Sequence, residues 1–132
     1  MPQFIKCAAA ILLLTAGIFR PVYAHHSTAM FDADNPIELA GTIKEWQYSN
    51  PHTFIILIVS DENGDDTEWT LEGRSPSAIY RLGWTPNSLQ PGDRIMLSVN
   101  PLHSGAPGGN YSNIRWHDGT PIDPTLARPE QN

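Results

Sequence analysis

The residues best suited to chemistry in this chain are its histidines, and two of them stand together as His25-His26. The segment before them has the three parts of a cleavable secretion signal: Lys6 near the start, an apolar run from Cys7 to Phe19, and Val22-Tyr23-Ala24 as a small-x-small cleavage box. Cleavage after Ala24 would make His25 the first residue, so that one residue offers both a free amine and an imidazole. Such a terminus chelates metal. The reference pKa of an α-amine, roughly 7.7 to 8.0, lets a metal displace its proton near neutral pH. Nitrogen ligands in this arrangement favour Cu(II), which also leads the divalent affinity order. A second imidazole from the folded body would complete a three-nitrogen site, with His26 as an auxiliary ligand. The bland alternative is a solvated stub left by signal processing.

Three histidines could supply that second imidazole: His52, His103 and His117. His52 ranks first because Asn50-Pro51-His52 forms a stiff turn between two expected strands, where a small barrel would carry a site. His103, beside a glycine-rich stretch, and His117, beside the Asp118-Gly119 turn, are reserves. Asp61, Glu62, Asp65 and Asp66 gather on one loop, yet the spacing of oxygen ligands in a calcium-binding EF-hand is missing and an Asn63-Gly64 hairpin tip accounts for them. Glu45, Glu68 and Glu72 fall where strand alternation alone places polar residues outward. No nucleophile elbow, Walker loop, HExxH or dinucleotide fingerprint is present, which argues against an enzyme of those classes.

The elements that must position these groups read as mostly β. Ile37 to Tyr48 alternates apolar and polar residues over much of its length, with Gly41 a candidate for a bulge or bend. Thr53 to Val59 and Thr67 to Leu71 flank the Asn-Gly turn as a hairpin. Ser75-Pro76 opens a helix of about two turns that stops at Gly83, with Ser75 as its cap. Arg94 to Val99 and Asn110 to Trp116 supply two more strands, joined through a glycine-rich connection at Gly105 to Gly109. The order β-β-β-α-β-β, with a long bent first strand, predicts an all-β fold with one short helix: a small five-stranded OB-like Greek-key barrel. The expected division is a signal at 1–24, an N-terminal arm at 25–36, the barrel at 37–120 and a flexible Pro-rich tail at 121–132.

The apolar run of the signal is interrupted by Thr15 and Gly17 and ends at Arg20-Pro21, short of the roughly 20 residues a membrane-spanning helix needs. Cys7 lies at its start, not at its end where a lipidated cysteine belongs, and it leaves with the signal. The remaining 108 residues suit one domain. They keep all 14 acidic side chains and lose Lys6 and Arg20 from the 8 basic ones, a side-chain charge of −8 with neutral histidines. That balance opposes nucleic acid and acidic membranes alike, because phosphate backbones are bound by clustered Lys and Arg. Trp46, Trp69, Trp84 and Trp116 read as core and rim packing. A rival use of the barrel is a non-metal module that takes a peptide, glycan or protein partner on one face, with Trp46 and Tyr48 as exposed anchors.

These residues together resemble a family of small exported bacterial proteins of unknown function. The similarity rests on Ala24-His25-His26-Ser27 with Met30-Phe31-Asp32, on Gly41-Thr42 and Trp46 leading into Asn50-Pro51-His52, and then on Trp69-Thr70-Leu71-Glu72. It continues through Gly83-Trp84, Pro91-Gly92-Asp93 and Pro101 with the Gly105 to Gly109 stretch. The resemblance implies a periplasmic OB-like barrel without an established activity. It also implies that His25, His26 and His52 matter more than His103.

Overall fold

The structure is a computed structural model, and it describes residues 28–126. Five strands, β1 (Ile37–Gln47), β2 (Phe54–Ser60), β3 (Asp66–Glu72), β4 (Arg94–Pro101) and β5 (Gly108–Trp116), close into a barrel in the order β1-β2-β3-β5-β4. A short helix, α1 (Pro76–Tyr80), sits between β3 and β4, and a 3-10 turn, Thr28–Met30, precedes the barrel. The expected all-β barrel with one short helix is what the chain forms.

The length of β1 makes closure feasible. Its first half, Ile37 to Thr42, pairs antiparallel with β4, and its second half, Thr42 to Gln47, pairs antiparallel with β2. One strand therefore belongs to both sides of the barrel. The register shift falls between Ile43 and Glu45, not at Gly41 as the sequence suggests. Gly41 serves a different need: a Cβ there would lie 2.4 Å from the carbonyl oxygen of Ile58, so only glycine lets β1 and β2 approach so closely. The turn Pro91-Gly92-Asp93 docks on the irregular part of β1, where Ile43 N–H donates to the Asp93 carbonyl and Gly92 N–H to the Ile43 carbonyl. Buried Asp93 fixes the turn by accepting the Gln90 N–H.

The core is the barrel interior. Ile43, Ile55, Leu57, Leu71, Ile95, Leu97 and Val99 alternate inward from four strands, joined by Leu89 and Trp116. Trp46, Trp69 and Trp84 pack against this cluster half-buried, so all four tryptophans serve packing.

The last seam is parallel: Thr70, Leu71 and Glu72 face Gly108, Gly109 and Asn110. Gly108 and Gly109 thus begin β5; they are not part of a loose connection. A Cβ on Gly109 would meet Val99 Cγ1 at 2.4 Å and the Asn100 carbonyl oxygen at 2.5 Å. The glycine pair is the space that closure requires.

Both ends of the described chain are tied to the barrel. Phe31 bridges Leu102, and Asp32 N–H donates to the Pro101 carbonyl. After β5, Pro121 bridges Arg115 and Ile122 packs on the core. A proline, which lacks an N–H, still accepts through its carbonyl, and the adjoining isoleucine has apolar surface to bury. The expected signal at 1–24 lies outside the described residues.

Candidate functional site

His52 follows the turn that leaves β1, just before β2, and Glu72 ends β3. In the β2–β3 hairpin Phe54 faces Glu72, and the ladder continues as Gly73 N–H donates to the Thr53 carbonyl. The Asn50–Pro51 peptide in this turn is cis. His52 Nδ1 is paired with Glu72 Oε1, and both side chains are about one quarter exposed. This partner was hidden by the alternation rule, which places Glu72 simply outward. The signal that finds it is the hairpin register: counting back from Asn63-Gly64 puts position 72 at the same end of the hairpin as position 52.

The pair opens into a cavity of about 280 Å³. Gly73, Arg74 and Asn110 line one part of it, and Thr28, Met30 and Phe31 of the arm line the other. Asn110 is fixed there by donating its side-chain N–H to the Glu72 carbonyl at 3.1 Å. The arm is held by its bridge to Leu102 and by His103 N–H donating to the Met30 carbonyl at 3.0 Å.

Of the expected metal ligands, His25 and His26 lie outside the described residues. His52 stands in the cavity wall. His103 is exposed on the β4–β5 connection, on the loop that clasps the arm. His117 is exposed on the far end of β5, with its Nε2 3.1 Å from a guanidinium nitrogen of Arg94. A cation beside that nitrogen makes His117 a poor place for a second cation. Among the described residues no group of three His, Cys, Asp or Glu side chains is gathered closely enough to hold a metal ion. The cavity thus offers one imidazole and one carboxylate from the barrel, and a third protein ligand to a metal there would come from outside the described residues.

The acidic loop is a turn. Asp61 accepts N–H groups of Asn63 and Asp65 at 2.8 and 2.9 Å, and the backbone hydrogen bond from Asp65 is the main reason its carboxyl titrates below the usual carboxylate value. Lys44 pairs with Glu68 across the surface at 2.5 Å, and Glu45 is exposed.

A second cavity, of about 330 Å³, lies between α1 and β5 and reaches Arg74 from the other side. Trp46 and Tyr48 belong to this region. They are half-buried instead of exposed: Trp46 Nε1–H donates to the Thr85 carbonyl, and the Tyr48 hydroxyl lies 3.1 Å from the carbonyls of both Pro76 and Trp84. Trp46 meets Tyr48 edge-on at 5.8 Å between ring centroids and lies 6.5 Å from Trp84. Their polar atoms are committed to tethering the segment around α1. Ser75 stands at the N-cap with extended backbone, but its hydroxyl makes no capping bond; Pro76 at the first turn sets the start of the helix.

The fold and this site define a small closed β-barrel with a histidine–carboxylate pair at the mouth of one hairpin. A family of unknown function, DUF6152, matches residues 13–111, and the chain belongs to it. Among curated proteins no match is found. Among solved structures the chain is similar to a mitochondrial single-stranded DNA binding protein from S. cerevisiae, at 10% identity and a TM-score of 0.46, over 62% of this chain and 93% of that one. Similarity at this level carries no argument about what the present chain binds.

Proposed function

We propose that the protein is an exported copper-binding domain. Its metal would be held by the amine and imidazole of His25 together with the imidazole of His52, and His26 would be an auxiliary ligand. The observation that carries this reading is the place of His52: it shares a cavity with the arm whose first described residue, Thr28, stands three positions after His25. Three residues of extended chain reach about 10 Å. That span brings an N-terminal histidine within range of the cavity without any rearrangement of the barrel.

The chemistry of the donor set agrees. Glu72 engages His52 through Nδ1, so Nε2 is the ring nitrogen that would meet a metal. A carboxylate on the opposite nitrogen fixes the tautomer and ring orientation and raises ligand basicity, as it does around metal-bound histidines generally. Copper bound to the native state alone would stabilise the fold by mass action, about 2.7 kcal/mol at a hundredfold excess over Kd. Export, the His-His-Ser start and the exclusion of nucleic acid rest on the signal-like segment and on the charge of −8 that remains after it.

The test is native mass spectrometry of protein produced with its own leader and titrated with copper. The expected result is a mature mass beginning at His25 that retains one copper ion, and a His52→Ala variant with weaker Cu(II) affinity and a smaller copper-induced rise in Tm. A different N-terminus, or unchanged affinity in His52→Ala, would overturn the assignment.

A further inference from the structure

The cleft between α1 and β5 shares Arg74 with the cavity of His52 but none of the proposed copper ligands, and it has the composition of a ligand pocket. Its volume, about 330 Å³, is at the small end of cavities that enclose organic ligands. Trp46, Ile79, Leu82, Trp84 and Ile114 make it mainly apolar. Leu82 remains 59% exposed, an unusual position for a large apolar side chain beside two tryptophans.

The wall on the β5 side is built by an irregularity. The β4–β5 ladder passes from Met96–Arg115 to Ser98–Ser112, so Asn113 and Ile114 together oppose Leu97. Asn113, with φ at 49°, is the one non-glycine residue of positive φ among the described residues. A bulge of this kind re-aims side chains, and here both bulged residues line the cleft.

The single cation lining the cleft is Arg74, which is exposed and absent from the ion pairs of the described residues: Lys44–Glu68, His52–Glu72 and Arg115–Glu38. In a chain this acidic, a guanidinium in no ion pair of the described residues, beside an aromatic, apolar cleft, has the chemistry to take an anion. We propose that this cleft binds a small organic carboxylate, with its apolar tail between Trp46, Trp84 and Leu82 and its carboxylate on Arg74.

The probes are sodium octanoate, octan-1-ol and octyltrimethylammonium, titrated into the protein with EDTA present so that copper plays no part. Tryptophan fluorescence and calorimetry are the readouts. Octanoate is expected to bind saturably at one site, more tightly than octanol, and the cation weakest. Arg74→Gln should weaken octanoate about tenfold, the scale of one charge-assisted hydrogen bond, and leave octanol unchanged. Leu82→Asp, at a second exposed position, should weaken octanoate by repulsion with the fold intact by circular dichroism. The proposal is overturned if octanoate shows no saturable binding, if octanol binds equally well, or if both variants bind octanoate like the parent.

Discussion

Two side chains near His52 show how much a partner decides. Glu72 holds the imidazole by Nδ1, and its own last strand position is fixed by pairing with Phe54 on one side and Asn110 on the other. Glu72→Gln keeps the shape but removes the charge, and copper affinity is expected to fall by about 10- to 100-fold at unchanged stoichiometry, measured by competition with a chromogenic chelator. An unchanged affinity would show that Glu72 does not orient the ligand. Tyr111 makes a contrasting case. Burial pushes its hydroxyl up to about 12, against the opposing influence of the hydrogen bond with Thr53 at 2.9 Å. From its usual value of 10 up to about 12, the folded chain keeps a proton that the unfolded chain releases. The stability from neutral Tyr111 is therefore full below pH 10 and is lost as pH rises through about 12, with a slope of up to about 1.4 kcal/mol per pH unit. In Tyr111→Phe this part of the alkaline loss should vanish from urea melts taken across that window. The variant should cost only about 1 kcal/mol at pH 7, because Thr53 still donates to the Arg74 carbonyl.

At the scale of elements, the glycine pair that opens β5 has the clearest consequence. Gly109→Ala forces a methyl against Val99 and the Asn100 carbonyl, and a loss of about 1–3 kcal/mol is expected in denaturant unfolding, with the barrel otherwise retained. A neutral result would mean that the β3–β5 seam yields more readily than its geometry indicates. The strands themselves were legible because alternation and the Asn-Gly turn are local signals. Ile43, Leu57 and Leu71 announce an inward face by spacing alone, and Asn63-Gly64 sets the hairpin. Gly108 and Gly109 read as connection in the sequence, because glycine marks flexibility and close approach alike and only the neighbouring strand distinguishes the two. Composition likewise cannot show that Arg115 lies within bridging distance of Pro121. The turn that carries His52 is legible locally, whereas its pairing with Glu72 depends on the register, a relation between two strands that no single segment contains.

For the whole molecule, one interior serves every strand, though unequally: β2 and β4 each give it two or more buried residues, whereas β1, β3 and β5 give one each, Ile43, Leu71 and Trp116. The five seams of the barrel are unequal. β2 and β3 share seven registered pairs, β1 and β4 share six, but β3 and β5 share only three. That short parallel join also links residues 38 positions apart, Thr70 to Gly108, so its closure carries a large loop entropy for few hydrogen bonds. The barrel should therefore breathe there first. In hydrogen exchange under native conditions, the amides of the β3–β5 join are expected to open with a lower free energy than the β2–β3 ladder, which should approach the global unfolding limit. Equal protection along both would show that the cylinder opens only as a unit. If the seam does part alone, the chain behaves for a fraction of its time as a curled sheet with an entrance, and the Tyr111 side of the barrel is wetted without unfolding.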